Sequence, residues 1–389
     1  MANGYQTAAY YFPNWHVDPA NERTHGKGWT EWNLLKYATP RFEGHQQPKA
    51  PLWGYADEAD PAVMAQKIDA AADHGLDCFL FDWYWFENRS FLSRCLEDGF
   101  LKAPNTNKMK FALMYANHRY WGNNMPCPAS LNVDHPMECV VDEQTFVTAT
   151  DYCIEHYFGQ ENYWRVNGGL YFSFYELKTL ILSLGGLENC KRVIDGFRER
   201  VRKAGLGELH LNAVLFNVQI LQGEGVLTSP EEQLHYLGFD SCTSYVWAHH
   251  SPFDFPFHPY EKIKAKVLDD CKKYDAEFSI PYYPNATMGW DASPRTCQSD
   301  VWGNYGYPYT GILDLSPAQF EDQLQALKEH LSHKPEKDRI LTINAWNEWT
   351  EGSYLEPDTV NGYGYLEALK KVFGQGEKYE NRTVALPSN

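Results

Sequence analysis

Apolar runs too short to be helices alternate along the chain with stretches whose apolar positions recur at helical spacing. This is the pattern of repeated β-α units. Eight runs read as strands: Thr7 to Phe12, Cys78 to Trp83, Lys110 to Ala116, Leu170 to Phe174, Leu209 to Phe216, Ser241 to Val246, Glu277 to Tyr282 and Ile340 to Trp346. Eight segments read as helices: Pro61 to His74, Phe91 to Phe100, Asp142 to Tyr157, Glu188 to Ala204, Pro230 to Tyr236, Tyr260 to Lys273, Ser316 to His333 and Tyr363 to Phe373. Eight of each is the count of an α/β fold of the (β/α)8 TIM-barrel type.

A barrel core takes about 250 residues, and the chain has 389. The surplus falls into long βα loops, from Pro13 to about Asp60, from Asn117 to Val141 and from Pro284 to Leu315, each rich in Trp, Tyr, Asn, Gly and His. These loops follow the C-terminal ends of strands, where barrels of this type place their chemistry. No repeat or Ser/Gly linker interrupts the pattern, so we expect a single catalytic barrel domain spanning residues 1–389.

A net charge of −17 leaves no basic surface for nucleic acid or an anionic membrane. No run of 18 apolar residues suggests a membrane span. The chain begins without a charged and then apolar leader. That fits a cytoplasmic protein, or an exported one (periplasmic or cell-surface) whose leader has been removed. Nine cysteines lack metal-ribbon spacing and read as buried thiols, with one or two disulfides if the protein is exported. His16, His25 and His45 share one loop but match no metal-binding motif, and no metal or cofactor is expected. Three glycosylation-type triplets, at Asn88, Asn285 and Asn381, are near chance frequency. The 13 Trp, 26 Tyr and 21 Phe are many, and the Trp and Tyr crowd into polar, glycine-containing stretches. Such rings suit stacking on sugars, although a tyrosine-rich barrel interior would also account for them.

The most informative segment is Ile340 to Asp358, in which a strand-like run ends in Asn347-Glu348-Trp349-Thr350-Glu351-Gly352. Residues three apart on an extended chain face opposite ways, but a turn at Gly352 would bring both carboxylates to one pocket. A pair of carboxyl groups, one protonated and one ionised, is the minimal apparatus for breaking a glycosidic bond. Two acids on a solvated loop edge is the competing reading.

Several motifs carry a resemblance. YYFPNWH at 10–16, GKGWTEW at 26–32, FEGHQQP at 42–48, GLDCFLFDWYWF at 75–86, YPNATMGWD at 283–291 and NEWTEG with LEPD at 347–358 resemble the WbsX-type, glycoside hydrolase family 99-like group. The match covers roughly residues 8 to 118 and 280 to 366. Where relatives tend to read Trp-Ala-Asn-Glu after the third strand, this chain has Tyr115-Ala116-Asn117-His118, which leaves the sugar identity open. The resemblance implies a TIM-barrel glycosidase of α-mannosidase type that retains anomeric configuration. It implies Glu348 as the base on the sugar 2-hydroxyl and Glu351 as general acid and then base, through a 1,2-anhydro sugar.

Substrate-binding candidates are Glu31 and Trp32 in GWTEW, Asp82 with Trp83 and Trp85 at the second strand's end, Asn117 and His118 after the third, Tyr282, Trp290 and Asp291 around the seventh, and Asn347 beside the catalytic pair. Tyr10 and Tyr11 compete for one inward position, with Tyr11 taken as the candidate. Tyr175, Glu176, Asn217, Tyr245 and Trp247 have suitable locations but no motif. The expected partner is an oligo- or polysaccharide, while oligomeric state is unspecified. Two other readings stay open. A metal-dependent glycosyltransferase would need an Asp-x-Asp, which is absent; a non-catalytic sugar-binding barrel would not need both acids.

Overall fold

The computed structural model describes residues 4–86, 88–118, 125–127, 141–215 and 229–374. Cys139, Phe216, Asn217, Asn381 and most of the long loop from Asn117 to Val141 lie outside them. A parallel sheet wraps into a nearly closed α/β barrel in chain order: β1 (Gln6–Tyr11), β2 (Cys78–Phe86), β3 (Lys110–Tyr115), β4 (Gly169–Phe174), β5 (Leu209–Val214) and β6 (Ser241–Thr243). The two halves of β7, Tyr282–Tyr283 and Asn285–Thr287, pair with β6 and with β8 (Ile340–Asn344) respectively, and β8 pairs with β1. Pro284 separates the halves because it has no N–H to give the ladder. Its carbonyl accepts from Thr342 N at 3.0 Å, so the ring is completed through β7's own backbone.

Helices α1 (Pro61–Asp73), α2 (Glu143–His156), α3 (Leu187–Lys203), α4 (Pro230–Leu237), α5 (Tyr260–Glu277), α6 (Pro317–Ser332) and α7 (Gly364–Phe373) cover the outside. Asp60, Asp142, Ser229 and Ser316 cap the first, second, fourth and sixth with side-chain acceptors. Three expectations need correction. The seventh strand is not Glu277 to Tyr282, because α5 runs on through Glu277 and the strand starts only after Pro281. Phe91 to Phe100 is not one helix: Arg89–Phe91 folds back on β2, and only Cys95–Phe100 coils, in a wide π-type turn. That turn meets the first loop so closely at Gly99 that a Cβ there would lie 2.1 Å from the Glu58 carbonyl oxygen. The sixth strand stops at Thr243 rather than Val246.

Both faces of the strands are buried, and the two faces differ in chemistry. Outside lie Phe79, Phe81, Phe100 and Phe111 in edge-on ring contacts. Inside, cross-strand hydrogen bonds join Ser173 to Asn212, Asn212 to Ser241, Thr243 to Thr342 and Asn285 to Thr342 at 2.8–3.1 Å. The eight cysteines among the described residues are free thiols. No helix among those residues is long and apolar enough to cross a membrane.

Candidate active site

Beyond β8 the chain makes a short antiparallel ladder, Asn347–Glu348 against Ser353–Tyr354, around a single 3-10 turn at Trp349–Glu351. Gly352 closes the turn with φ +68°, a left-handed conformation that L side chains adopt at a cost. A Cβ there would also lie 2.9 Å from the Asp291 Cβ. The turn brings Glu348 and Glu351 to one guanidinium. Arg295 donates from Nη2 to Glu348 Oε2 at 3.1 Å, from Nη1 to Glu351 Oε1, and from Nε to Glu31 Oε1 at 2.9 Å. Its charge lies 5.2 Å from the centre of the Phe12 ring. Glu31 Oε1 also accepts from Thr350 Oγ1, and Glu31 Oε2 from Asn14 Nδ2 at 2.7 Å, so the first loop holds Arg295 from behind.

Asp82, at the end of β2, completes the acidic group. The Tyr245 hydroxyl lies 3.2 Å from Asp82 Oδ2 and 3.2 Å from Glu348 Oε1. One hydroxyl hydrogen serves one acceptor, so the second contact is a hydrogen bond only if a carboxyl carries a proton. Electrostatics agree. Burial, reinforced by the Glu351 charge and opposed by Arg295, lifts the Glu348 carboxyl well above the usual carboxylate range. Burial also lifts Asp82 well above that range, with Tyr245 opposing. Glu351 is lifted by burial as well, against its contact with Arg295. One buried cation in contact with three carboxylates, with Asp82 close by, cannot offset every charge. Burial and mutual repulsion thus favour the protonated forms of Glu348, Glu351 and Asp82. Each catalytic candidate keeps one oxygen off the guanidinium: Glu351 Oε2, which has no hydrogen-bond partner among the described residues, and Glu348 Oε1, which meets Tyr245.

Aromatic rings continue outward from this cluster. Tyr10 lies 4.6 Å from Tyr245, Tyr245 5.2 Å from Tyr175, and Tyr175 5.0 Å from His118, whose ring meets Tyr84. Trp290 stacks on Tyr307 at 5.2 Å and donates to the Pro308 carbonyl. Glu31, Asp82 and His118 thus stand at the site, with Trp290 supporting its seventh-loop wall.

The other candidates are placed elsewhere. Tyr11 faces outward onto Phe79, Phe81 and Met64, and Tyr10 takes the inward position. Trp83 and Trp85 alternate with the inward Asp82, so they pack toward α2 and the turn after it, on Tyr157 and Tyr152. Tyr282 turns outward to Tyr274 of α5 and to Ser244. Trp32 is sandwiched between Trp15 and Trp349 and donates to the Ala56 carbonyl, beneath the site's floor. Asn117 exchanges two hydrogen bonds with the Glu176 backbone, fixing the third loop to the fourth. Asn347 does the same for Phe12. Asp291 accepts from Gln47 Nε2 at 2.6 Å and from the Ser293 N–H, and meets His45 Nε2 at 2.8 Å. Burial alone would raise this carboxyl, but those partners hold it down at about 2. It is a loop anchor, and its own N–H donates to the Glu351 carbonyl. His45 is thereby committed, and no group of three or more His, Cys, Asp or Glu among the described residues could hold a metal ion.

Arg295 was missing from the sequence candidates. The available signal was charge: it is the sole Lys or Arg between Pro284 and Leu315, in a loop that faces several acids.

Fold and site define a (β/α)8 barrel that gathers Glu31, Glu348 and Glu351 around one arginine at the C-terminal ends of its strands, with Asp82 joined to Glu348 through Tyr245. The chain belongs to the WbsX family, described as Glycosyltransferase WbsX, whose profile matches residues 7–369. It is similar to the uncharacterized protein WxcX of Xanthomonas campestris pv. campestris in strains B100 and ATCC 33913, at 27% identity over 386 residues, covering 94% of this chain and 49% of each relative. The chain therefore spans about half the length of the curated relatives it matches. Among solved structures it is similar to a GH99 endo-α-mannosidase from Bacteroides thetaiotaomicron, with TM-score 0.57, 15% identity, and 95% and 96% of the two chains covered. A glycoside hydrolase-like protein gives TM-score 0.58 at 16% identity over 95% and 94%. These likenesses establish the barrel fold.

Proposed function

We propose that this barrel is a glycoside hydrolase that cleaves an oligo- or polysaccharide with retention, using the sugar's own 2-hydroxyl as nucleophile. The observation that carries the reading is the pair Glu348 and Glu351, buried at the strand ends and bridged by Arg295. One proton shared by two carboxyls supplies both an acid and a base. In the first step Glu348 takes the 2-hydroxyl proton while O2 attacks the anomeric carbon. Glu351 gives its proton to the departing glycosidic oxygen, leaving a 1,2-anhydro sugar. In the second step Glu351 takes a proton from water, the water oxygen attacks the anomeric carbon, and Glu348 returns the proton to O2. Both carboxyls end as they began, and two displacements at one carbon give retention. The division of roles, the α-mannoside preference and the anhydro intermediate rest on the motif resemblance.

The test is release of reducing sugar from a panel of polysaccharides without nucleotide. Glu351→Gln is expected to abolish turnover of unactivated glycosides, with partial recovery on a substrate whose leaving group needs no proton. Glu348→Gln should show no such recovery. Wild-type rates in both variants would end the assignment. The family's description favours a second reading, transfer from a nucleotide sugar; strict dependence of product on a sugar nucleotide would decide for it.

A further inference from the structure

We propose that Lys67 is a positioning residue that fixes Glu348 from outside the barrel wall, through Glu58 and Glu356. The inference rests on the functional reading above for what Glu348 does. Lys67 belongs to α1 and is 3% exposed. Its ammonium donates to Glu58 Oε1 and to Glu356 Oε1, both carboxylates being themselves buried. Neither contact ends there. Glu58 Oε1 also accepts from Asn347 Nδ2 at 3.1 Å, and Glu356 Oε2 accepts from Trp349 Nε1 at 2.7 Å. Asn347 and Trp349 are the residues immediately before and after Glu348. One cation thus holds, through two carboxylates, both chain neighbours of the proposed base.

Stability alone is a poor reason for this arrangement. A buried ion triplet is often matched or bettered by apolar side chains of the same volume. Such side chains could not accept these N–H groups, so Trp349 Nε1 would be buried without a partner and the Asn347 amide would keep only its bond to the Phe12 carbonyl. The triplet also sits at a junction. Asn347 is tied to the Phe12 backbone of the first strand's exit, and Trp15 Nε1 donates to its carbonyl at 3.1 Å. Lys67 therefore links α1, the first loop and the turn after β8 at the point where the orientation of Glu348 is set. A displacement of about 1 Å at a reacting group costs on the order of 100-fold in rate.

The experiment compares Lys67→Met, Trp349→Phe and, as a control, Lys334→Met, which strips a half-buried lysine from Asp275 and the Tyr282 carbonyl. Lys67→Met is expected to lower kcat on the order of 100-fold while KM moves less than about threefold. Trp349→Phe removes the N–H to Glu356 together with one ring of the indole, and keeps a ring to stack on Tyr354, so it reports even if Lys67→Met does not fold; kcat should fall about tenfold. Lys334→Met should lower the melting temperature and leave kcat in place. A kcat within about twofold of wild type in Trp349→Phe and in any folded Lys67→Met would overturn the proposal. Should the wild-type protein hydrolyse no glycan, the functional reading falls on its own. Positioning is then read from the 13C carboxyl resonances of Glu348 and Glu351: displaced signals in the folded variants uphold it, and superimposable spectra refute it.

Discussion

Replacing Arg295 by Met removes the one cation that faces three of the site's carboxylates and keeps most of the side chain's volume. At 3.1 Å from Glu348, with the effective dielectric constant of about 20 that suits such sites, the attraction is about 5 kcal/mol. Breaking a buried ion pair on one side costs about 3–5 kcal/mol in practice, and each 1.36 kcal/mol is one pKa unit. Protonation relieves part of that cost, so we expect the cluster's ionisation to rise by about two units rather than the full amount. The sign is fixed by charge. Arg295 lowers both Glu348 and Glu351, and its loss lets burial and mutual repulsion raise them further. Glu348 must be ionised to act as base, so the acid limb of kcat/KM against pH should move upward by about two units. At a pH below the wild-type limb the rate should drop about 100-fold, and it should recover in part as pH rises. Initial rates on a released oligosaccharide across the pH range, with near-UV circular dichroism to confirm folding, make the measurement. An acid limb that stays in place, or moves down, in a folded Arg295→Met protein would refute the electrostatic reasoning.

Three further outcomes follow from single contacts. His16 is wholly buried, and burial, aided by Arg94, holds its ring at about 3. The unfolded chain protonates near 6.5 and the folded one does not, so stability is lost as pH falls below 6.5, by roughly 3 kcal/mol at about pH 4.5. His16→Phe should flatten the acid side of a denaturant-midpoint profile, and an unchanged profile counts against a buried neutral ring. Tyr245→Phe deletes the hydroxyl between Asp82 and Glu348 and should cost about tenfold in kcat with KM little changed; a change confined to KM would place Tyr245 on the substrate instead. Gly352→Ala combines a φ of +68° with a Cβ 2.9 Å from that of Asp291 and should destabilise by about 1–3 kcal/mol, read by chemical denaturation. A neutral result would mean that the turn relaxes easily.

How far the sequence reveals such a site depends on which physical signal each part leaves. The barrel is legible because β-α alternation and helix caps are local, and Asp60, Ser229 and Ser316 each announce a helix within a few residues. The parity of the strands is not. A strand buried on both faces reads as continuously apolar, so nothing in Tyr10-Tyr11, Asp82-Trp83 or Tyr282-Tyr283 says which residue faces in. At the first and third pairs the choice fell on the outward tyrosine, and at the second it included Trp83 along with the inward acid. Polar loop residues are hard to assign for another reason. A long loop packed on a barrel must satisfy its own backbone, and Asn117 and Asn347 are spent on that, while Asp291 joins two loops through His45, Gln47 and its own peptide N–H. The residues that the architecture does not consume are Glu348, Glu351, Asp82 and the rings beside them, and these carry the proposed chemistry. Arg295 sits between these classes: it anchors to Glu31 on one side and sets the charge of the two glutamates on the other. A single basic residue in a loop that must close over several buried acids is therefore a stronger sequence signal than any aromatic beside it. Burial allows an aromatic ring many neighbours, but it leaves an unpaired carboxylate cluster needing a cation.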